Sequence, residues 1–244
     1  MKAVILAAGK GTRMKQLTAS RPKPMIEICG KPMLEHIVVA LRDSGISEFI
    51  LVTGYLAELV ETHFGNGQRL GIRVDYIRQQ VQNGTGSAFH HARTLVGTES
   101  FFAGYGDIIT SLGNYARLIQ EFKWRRCDAL LALNWVDDPH RGAAVYLNSD
   151  DVVTDIIEKP PQGTSTSNWN NAGLMVFSHQ LFDYTESLQP SPRGEYEVTD
   201  AIRAMIQDKR QVLGFKLQGF WSDVGRPEDL ELVTRQICAS TEAN

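Results

Sequence analysis

The chain has 244 residues, 25 Lys and Arg against 28 Asp and Glu, a formal net charge of −3 and 43% hydrophobic residues. That length buries one large core or a core with a small lobe, and α/β units of this size commonly fold as one domain. Balanced charge without a long basic run excludes an electrostatic footprint for nucleic acid or an anionic membrane, and no stretch approaches the ~20 apolar residues of a membrane span.

Only Lys2 precedes the first apolar run, which is too short for the hydrophobic core of a signal peptide. Cys29, Cys127 and Cys238 are odd in number, far apart and without a C-x-x-C pair, which argues against a disulfide framework or a zinc site. The expectation is a soluble cytoplasmic protein in a reducing compartment, with a diffusible substrate.

In chain order, residues 2–6 (KAVIL) read as a short β-strand, and Leu6-Ala7-Ala8-Gly9-Lys10-Gly11-Thr12-Arg13-Met14 follows as a glycine loop. Small residues there let backbone N–H groups approach an anion, and Arg13 and Lys23, the latter in Arg21-Pro22-Lys23-Pro24, add cationic charge. The G-x-x-x-x-G-K-[ST] spacing of a P-loop is absent, and a dinucleotide fingerprint would need glycine at Met14 and an acid near Leu51, Val52 and Thr53. The residues read as a nucleoside triphosphate grip or, as the plain alternative, an ordinary strand-loop turn with two glycines.

Pro32 marks a helix start, Leu34, Ile37, Val38 and Leu41 fall at helical spacing, and Gly45 closes the helix. Strands are predicted at 49–53, 72–77, 101–106 and 129–136, alternating with helices at 56–64, 87–96 and 115–124. Such alternation implies right-handed crossovers and a largely parallel sheet. From residue 142 the pattern changes: 143–147 and 152–157 flank N-S-D-D as an antiparallel hairpin, 174–177 adds a strand, and a last helix spans about 227–239. The polar stretch 162–168 reads as a mobile surface loop, either a cover for an acceptor pocket or a plain hairpin loop. His90 and His91 are adjacent, not at the i, i+3 or i, i+4 spacing of a helical metal pair, and read as surface or partly packed.

Asp107 follows an apolar strand, which puts a carboxylate at the end of the sheet where open α/β folds bind ligands. Such an acid suits Mg2+, which takes one or two carboxylates with phosphate oxygens and water.

Together L-A-A-G-K-G-T-R-M, R-P-K-P, G-T-G-S-A (84–88), G-Y-G-D (104–107), E-K-P (158–160), N-A-G (171–173) and F-W-S-D-V-G-R-P-E-D-L (220–230) resemble, in order and over nearly the whole chain, the sugar-1-phosphate nucleotidylyltransferases. The resemblance implies an α/β, Rossmann-like mixed and mainly parallel sheet flanked by helices, of the nucleotide-diphospho-sugar transferase type, with an antiparallel acceptor side. One domain over 1–244 is expected, with a nucleotide half at about 1–136, a sugar-phosphate half at about 137–244 and no C-terminal hexapeptide-repeat domain.

It further implies Mg2+-dependent transfer of UMP or dTMP from a nucleoside triphosphate, UTP or dTTP favoured, to a sugar 1-phosphate, releasing pyrophosphate. The protein would act without nucleic acid or membrane, as a monomer or small homo-oligomer. Alternatives are a guanylyl- or cytidylyltransferase, acting on a sugar or another phosphate such as phosphocholine, and a catalytically silent regulatory subunit. Carried onto this sequence, the nucleotide would meet Leu6, Ala7, Ala8, Gly9, Gly11, Thr12, Arg13, Lys23, Gln79, Gly84, Thr85 and Gly106, with Gln79 reading the base. The sugar phosphate would meet Gly142, Glu158, Lys159, Asn171 and Gly173, and Asp107 with Asp223 would hold the metal. Arg13, Lys23, Asp107, Lys159 and Asp223 would carry catalysis. Arg226 departs from the threonine of many relatives.

Overall fold

A computed structural model describes residues 1–242, with Lys15 and residues 239–242 described in backbone only. The chain opens with β1 (Lys2–Ala7), 3-10 turns over Thr12–Thr18 and Lys23–Met25, a small hairpin of β2 (Glu27–Ile28) and β3 (Lys31–Pro32), and α1 (Met33–Asp43). Next come β4 (Glu48–Thr53), α2 (Ala57–Phe64), β5 (Arg73–Arg78), α3 (Thr85–His90), α4 (Arg93–Val96), β6 (Phe101–Tyr105), β7 (Ile108–Thr110), α5 (Gly113–Arg125) and β8 (Ala129–Trp135). The second half holds β9 (Ala143–Leu147), β10 (Val153–Glu158), β11 (Trp169–Phe177), α6 (Leu181–Glu186), α7 (Val198–Gln207), β12 (Val212–Lys216), β13 (Trp221–Asp223) and α8 (Pro227–Glu242).

One nine-stranded sheet runs in the order β10-β9-β11-β6-β1-β4-β5, with β8 paired to β11 and β12 to β8. Strands β6, β1, β4 and β5 are parallel neighbours, whereas β11 runs antiparallel to β6, β8 and β9. The mixed sheet is therefore parallel from β6 to β5 and between β8 and β12, and antiparallel around β11 and between β9 and β10. Side chains alternate across each strand, so Ala3, Ile5 and Ala7 of β1 enter the core under α1, α5 and α8, while Val4 enters the core under α3, α6 and α7. Among the described residues no helix is long and apolar enough to cross a membrane.

Several elements differ from the sequence reading. The helix expected at 87–96 is two, because Ala92 N–H turns back to Phe89 O (2.9 Å) and breaks the α-helical ladder. The strand expected at 101–106 ends at Tyr105, and the chain bends through Gly106 and Asp107 into β7. Strand β11 starts at Trp169, so N-A-G lies within a strand, interrupted by a register shift between Asn171 and Met175. Helix α7 was not anticipated, although Val198, Ala201, Ile202 and Met205 sit at helical spacing and are buried.

The cysteines require a correction. Cys29 in the turn between β2 and β3 is bridged to Cys238 on α8, with Cα atoms 5.9 Å apart across 209 residues of sequence, and only Cys127 is free and buried. Distance along the chain argued against a bridge, but docking of α8 on the hairpin makes the two positions neighbours.

Candidate active site

The site lies at the carboxyl ends of the parallel strands, as two clefts of 530 Å³ and 310 Å³ that share Arg13, Thr85, Tyr105 and Asp107.

The smaller cleft is built by the loop after β1. Gly11 turns at φ +62, and a Cβ there would stand 2.7 Å from Lys23 Cβ, so the residue must both adopt a left-handed conformation and leave room for Lys23. The amides of Gly9, Lys10 and Gly11 donate no hydrogen bond among the described residues, which leaves a nest of N–H groups for an anion. Pro22 (ψ 152) and Pro24 fix the entry to the turn that carries Lys23. Leu6, Ala8, Gly9, Gly11, Arg13, Lys23, Gln79, Gly84 and Thr85 all line this cleft. Ala7, Thr12 and Gly106 do not: Ala7 is core, Thr12 opens a 3-10 turn, and Gly106 packs where a Cβ would crowd Leu6 O (3.2 Å) and Pro24 Cβ (3.2 Å).

Gln79, at the end of β5, is buried. Its backbone N–H donates to Thr53 O (2.8 Å) and its side-chain Nε2 to Gly84 O (3.3 Å). That bond fixes the amide orientation, because a flipped amide would set oxygen against oxygen, and leaves Oε1 as acceptor and one Nε2 hydrogen as donor.

The floor shared by the two clefts carries the charge. The antiparallel ribbon β7–β13 pairs Ile108 with Asp223, and Val224 N–H donates to Asp107 O (3.0 Å), so the two acids meet despite 116 positions between them. Lys23 Nζ forms ion pairs with Asp107 and with Asp223 Oδ1, the latter at 3.4 Å. Burial pulls the Lys23 ammonium down, but the fields of Asp107 and then Asp223 outweigh it and hold its pKa above the usual value. Burial, and next the neighbouring Asp107, raise Asp223, against Lys23 and Arg13. Two carboxylates forced together, with no third His, Cys, Asp or Glu grouped with them among the described residues, fit an ion that takes few protein ligands and completes its shell with phosphate and water.

The larger cleft is lined by Gly142, Glu158, Asn171, Gly173 and Asp223. Lys159 N–H donates to Gly142 O (2.7 Å), stitching the E-K-P turn to the glycine loop, while Lys159 Nζ lies 3.7 Å from Glu158 Oε1 and outside the cleft wall. Asn171 Oδ1 accepts from Gly173 N–H (3.1 Å). Gly142 is needed for packing, because a Cβ would overlap the buried Asn170 side chain, which accepts from Ala143 N–H (3.1 Å) and donates to Asn134 (2.9 Å). Residues 162–168 do not line this cleft; Gly163 N–H holds Asp138 (2.9 Å), and Thr166, Ser167 and Asn168 border a separate hollow with Trp135 and Trp169. His90 is part-buried against Thr185 (2.9 Å) and His91 is exposed, as expected.

Sequence reasoning missed the segment R-G-E-Y-E-V-T (193–199). Glu158 accepts from Thr199 (3.3 Å) and pairs with Arg193 (3.4 Å), which also binds the buried Glu197 (2.9 Å). Burial raises Glu158, while burial and then the Glu158 charge push Glu197 up to about 6. The alternation of Arg and Glu before a helix-spaced apolar run was the available signal.

A family model described as nucleotidyl transferase matches residues 2–240, and the chain belongs to that family. It is 36% identical over 230 residues to the bifunctional protein GlmU of Methanococcus maripaludis, covering 94% of this chain and 53% of that protein, so it spans about half the length of these relatives. To the UTP--glucose-1-phosphate uridylyltransferase AglF of Haloferax volcanii it is 32% identical over 243 residues, covering 99% and 98% of the two chains. Among solved structures, a putative glucose-1-phosphate thymidylyltransferase from Bacillus anthracis in complex with a sucrose superposes with a TM-score of 0.87 at 27% identity, covering 97% of this chain and 94% of that one. A UDP-glucose pyrophosphorylase complexed with UDP-glucose shares the fold, with a TM-score of 0.87 at 21% identity over 98% of each chain.

Proposed function

We propose that this chain is a Mg2+-dependent nucleotidyltransferase that moves UMP or dTMP from UTP or dTTP to a sugar 1-phosphate and releases pyrophosphate. One observation carries the reading: Lys23, Asp107 and Asp223 converge where a cleft built on the glycine loop, with amides that have no internal partner among the described residues, adjoins a second cleft that shares Asp107 and is lined by Glu158 and Asn171. Relatives of this length, a uridylyltransferase and a putative thymidylyltransferase, support the same reaction class.

A phosphate monoester has a second pKa of about 6, so the attacking oxygen is ionised at neutral pH and no general base is needed. The remaining work is to hold two polyanions in line and neutralise them. Amides of Gly9 to Gly11, Arg13 and Lys23 bind the triphosphate and take the charge that grows on departing pyrophosphate. Asp107 and Asp223 would hold a Mg2+, which would supply positive charge to neutralise the phosphates. Lys159 and Arg193 approach the sugar phosphate, and Glu158, Asn171 and backbone at Gly173 accept and donate to the hexose hydroxyls.

The base follows from Gln79. Its Oε1 accepts from the N3–H of uracil or thymine, while the second hydrogen of Nε2 can still donate to cytosine N3, so backbone groups near Gly84 complete the discrimination. One methyl in a pocket is worth about 1–3 kcal/mol, so UTP and dTTP are kept together here. Substrates of this kind are diffusible, and we place the enzyme in the cytoplasm, as a monomer or small homo-oligomer without nucleic-acid or membrane partners. The test is pyrophosphate release from UTP, dTTP, CTP, GTP and ATP with a panel of sugar 1-phosphates. UTP or dTTP should give the highest kcat/KM, and preference for CTP or GTP would sink the base assignment.

A further inference from the structure

Two cations of the larger cleft have no partner within the protein among the described residues. Arg141 stands on the loop before Gly142, at the sugar end, and Arg226 directly precedes α8, on the Asp223 side; both line the 530 Å³ cleft. Neither guanidinium forms a hydrogen bond or ion pair among the described residues; Arg226 is tied only through its backbone N–H to Asp229 (2.7 Å).

The carboxylates of the same wall are already engaged. Asp138 accepts from Gly163 N–H (2.9 Å) and His140 N–H (3.2 Å), Glu158 from Thr199 and Arg193, Asp229 from Arg226 N–H, and Asp107 and Asp223 pair with Lys23. Folding therefore supplies no anion for Arg141 or Arg226, and they impose a positive potential on a concave surface that focuses it. On the proposed reading the triphosphate and the sugar phosphate draw on Arg13, Lys23, Lys159 and Arg193, although Lys159 and Arg193 line neither cleft and are paired with Glu158, Glu195 and Glu197. A neutral hexose presents hydroxyls, which match carboxylates and amides well and use a guanidinium fork poorly. A carboxylate matches that fork with two parallel N–H···O bonds.

We propose that the acceptor is a sugar 1-phosphate bearing a second anionic group, a carboxylate, which Arg141 and Arg226 bind. The inference rests on nucleotidyl transfer to a sugar 1-phosphate and narrows the substrate class of that site.

The experiment measures pyrophosphate release from UTP, repeated with dTTP, on two matched pairs. Glucuronic acid 1-phosphate against glucose 1-phosphate tests a carboxylate on the ring's C6, and N-acetylmuramic acid 1-phosphate against N-acetylglucosamine 1-phosphate tests one on an ether arm. In at least one pair the acidic member should have a tenfold or greater advantage in kcat/KM, carried mainly by KM and shrinking as salt is raised. Arg141→Gln and Arg226→Gln should each cut that ratio about tenfold or more, and Arg→Lys at the same positions should restore part of it. Ratios at or below one in both pairs overturn the inference, as does a loss that is equal for acidic and neutral acceptors, which would assign the arginines to the phosphates. No turnover of any of the four acceptors with either nucleotide overturns the nucleotidyl-transfer reading itself, a distinct result from turnover without preference.

Discussion

At Lys23 a single ammonium neutralises two carboxylates that desolvation and mutual repulsion would otherwise push apart. Asp107→Asn or Asp223→Asn should leave the fold intact and lower kcat by 10²-fold or more, because each removes an anionic ligand beside the reacting phosphates. Near-wild-type turnover of either variant at limiting Mg2+ would remove that acid from the metal site. Lys23→Ala should impair triphosphate use and chemistry, whereas Lys159→Ala should raise KM for the sugar phosphate well above any effect on the nucleotide. Equal effects of Lys159→Ala on both substrates would exclude it from acceptor binding.

Glu197 gives a second residue-level expectation. It is buried beside Glu158, Glu195, Lys159 and Arg193, and its pKa rises from 4.5 to about 6 on folding. A raised carboxyl binds more protons folded than unfolded, so its contribution is most favourable below the unfolded pKa and declines as pH rises through the folded one. The decline totals about 2 kcal/mol, beginning below pH 4.5 and ending above pH 6. Glu197→Gln mimics the protonated carboxyl and removes this decline, so urea midpoints of variant and wild type should lie together at low pH and separate, the variant becoming the more stable, as pH rises across this window. Parallel pH profiles would show that Glu197 is not perturbed.

Among the elements, the ribbon of β7 with β13 and the bridge from the β2–β3 turn to α8 do related work. The ribbon sets Asp223 beside Asp107, and α8, which begins four residues after Asp223, is held at its far end by Cys29–Cys238. A cross-link closing a loop this long restricts the unfolded chain by up to about 5 kcal/mol in the chain-entropy model. Thermal melts of the oxidised protein with and without thiol reductant should therefore separate by several degrees. Cys29→Ser should match the reduced protein, and coincident melts would show that the bridge contributes no stability. Helix α3 meets the 193–199 segment through Gly84, where φ is +126 and a Cβ would overlap the Tyr196 backbone. Gly84→Ala should cost roughly 2–4 kcal/mol and weaken nucleotide binding through the displaced Gln79 contact. A stable variant with unchanged KM for the triphosphate would refute that coupling.

Across the whole molecule, local chemistry was legible and long-range adjacency was not. Apolar period and glycine punctuation give β1, α1, β4, α5 and β8 directly, because burial on a strand or helix imposes a fixed spacing on the sequence itself. The glycine loop, Lys23 and Asp107 are likewise readable, since backbone access to an anion, ammonium charge and a strand-end carboxylate each demand particular residue types, whereas Glu158 and Asn171 stand out only through the family resemblance. Nothing local announces that Ile108 pairs with Asp223, that Cys29 meets Cys238, that β11 runs through N-A-G, or that Arg193 and Glu197 close under Glu158. Those relations depend on the order in which strands join the sheet, and strand order is fixed by the sum of weak packing energies over distant segments. The sequence by itself determined where the chain's glycine loop, cations and carboxylates fall; the tertiary structure decided which of them share one cleft and which, like Arg141 and Arg226, remain without an internal partner among the described residues.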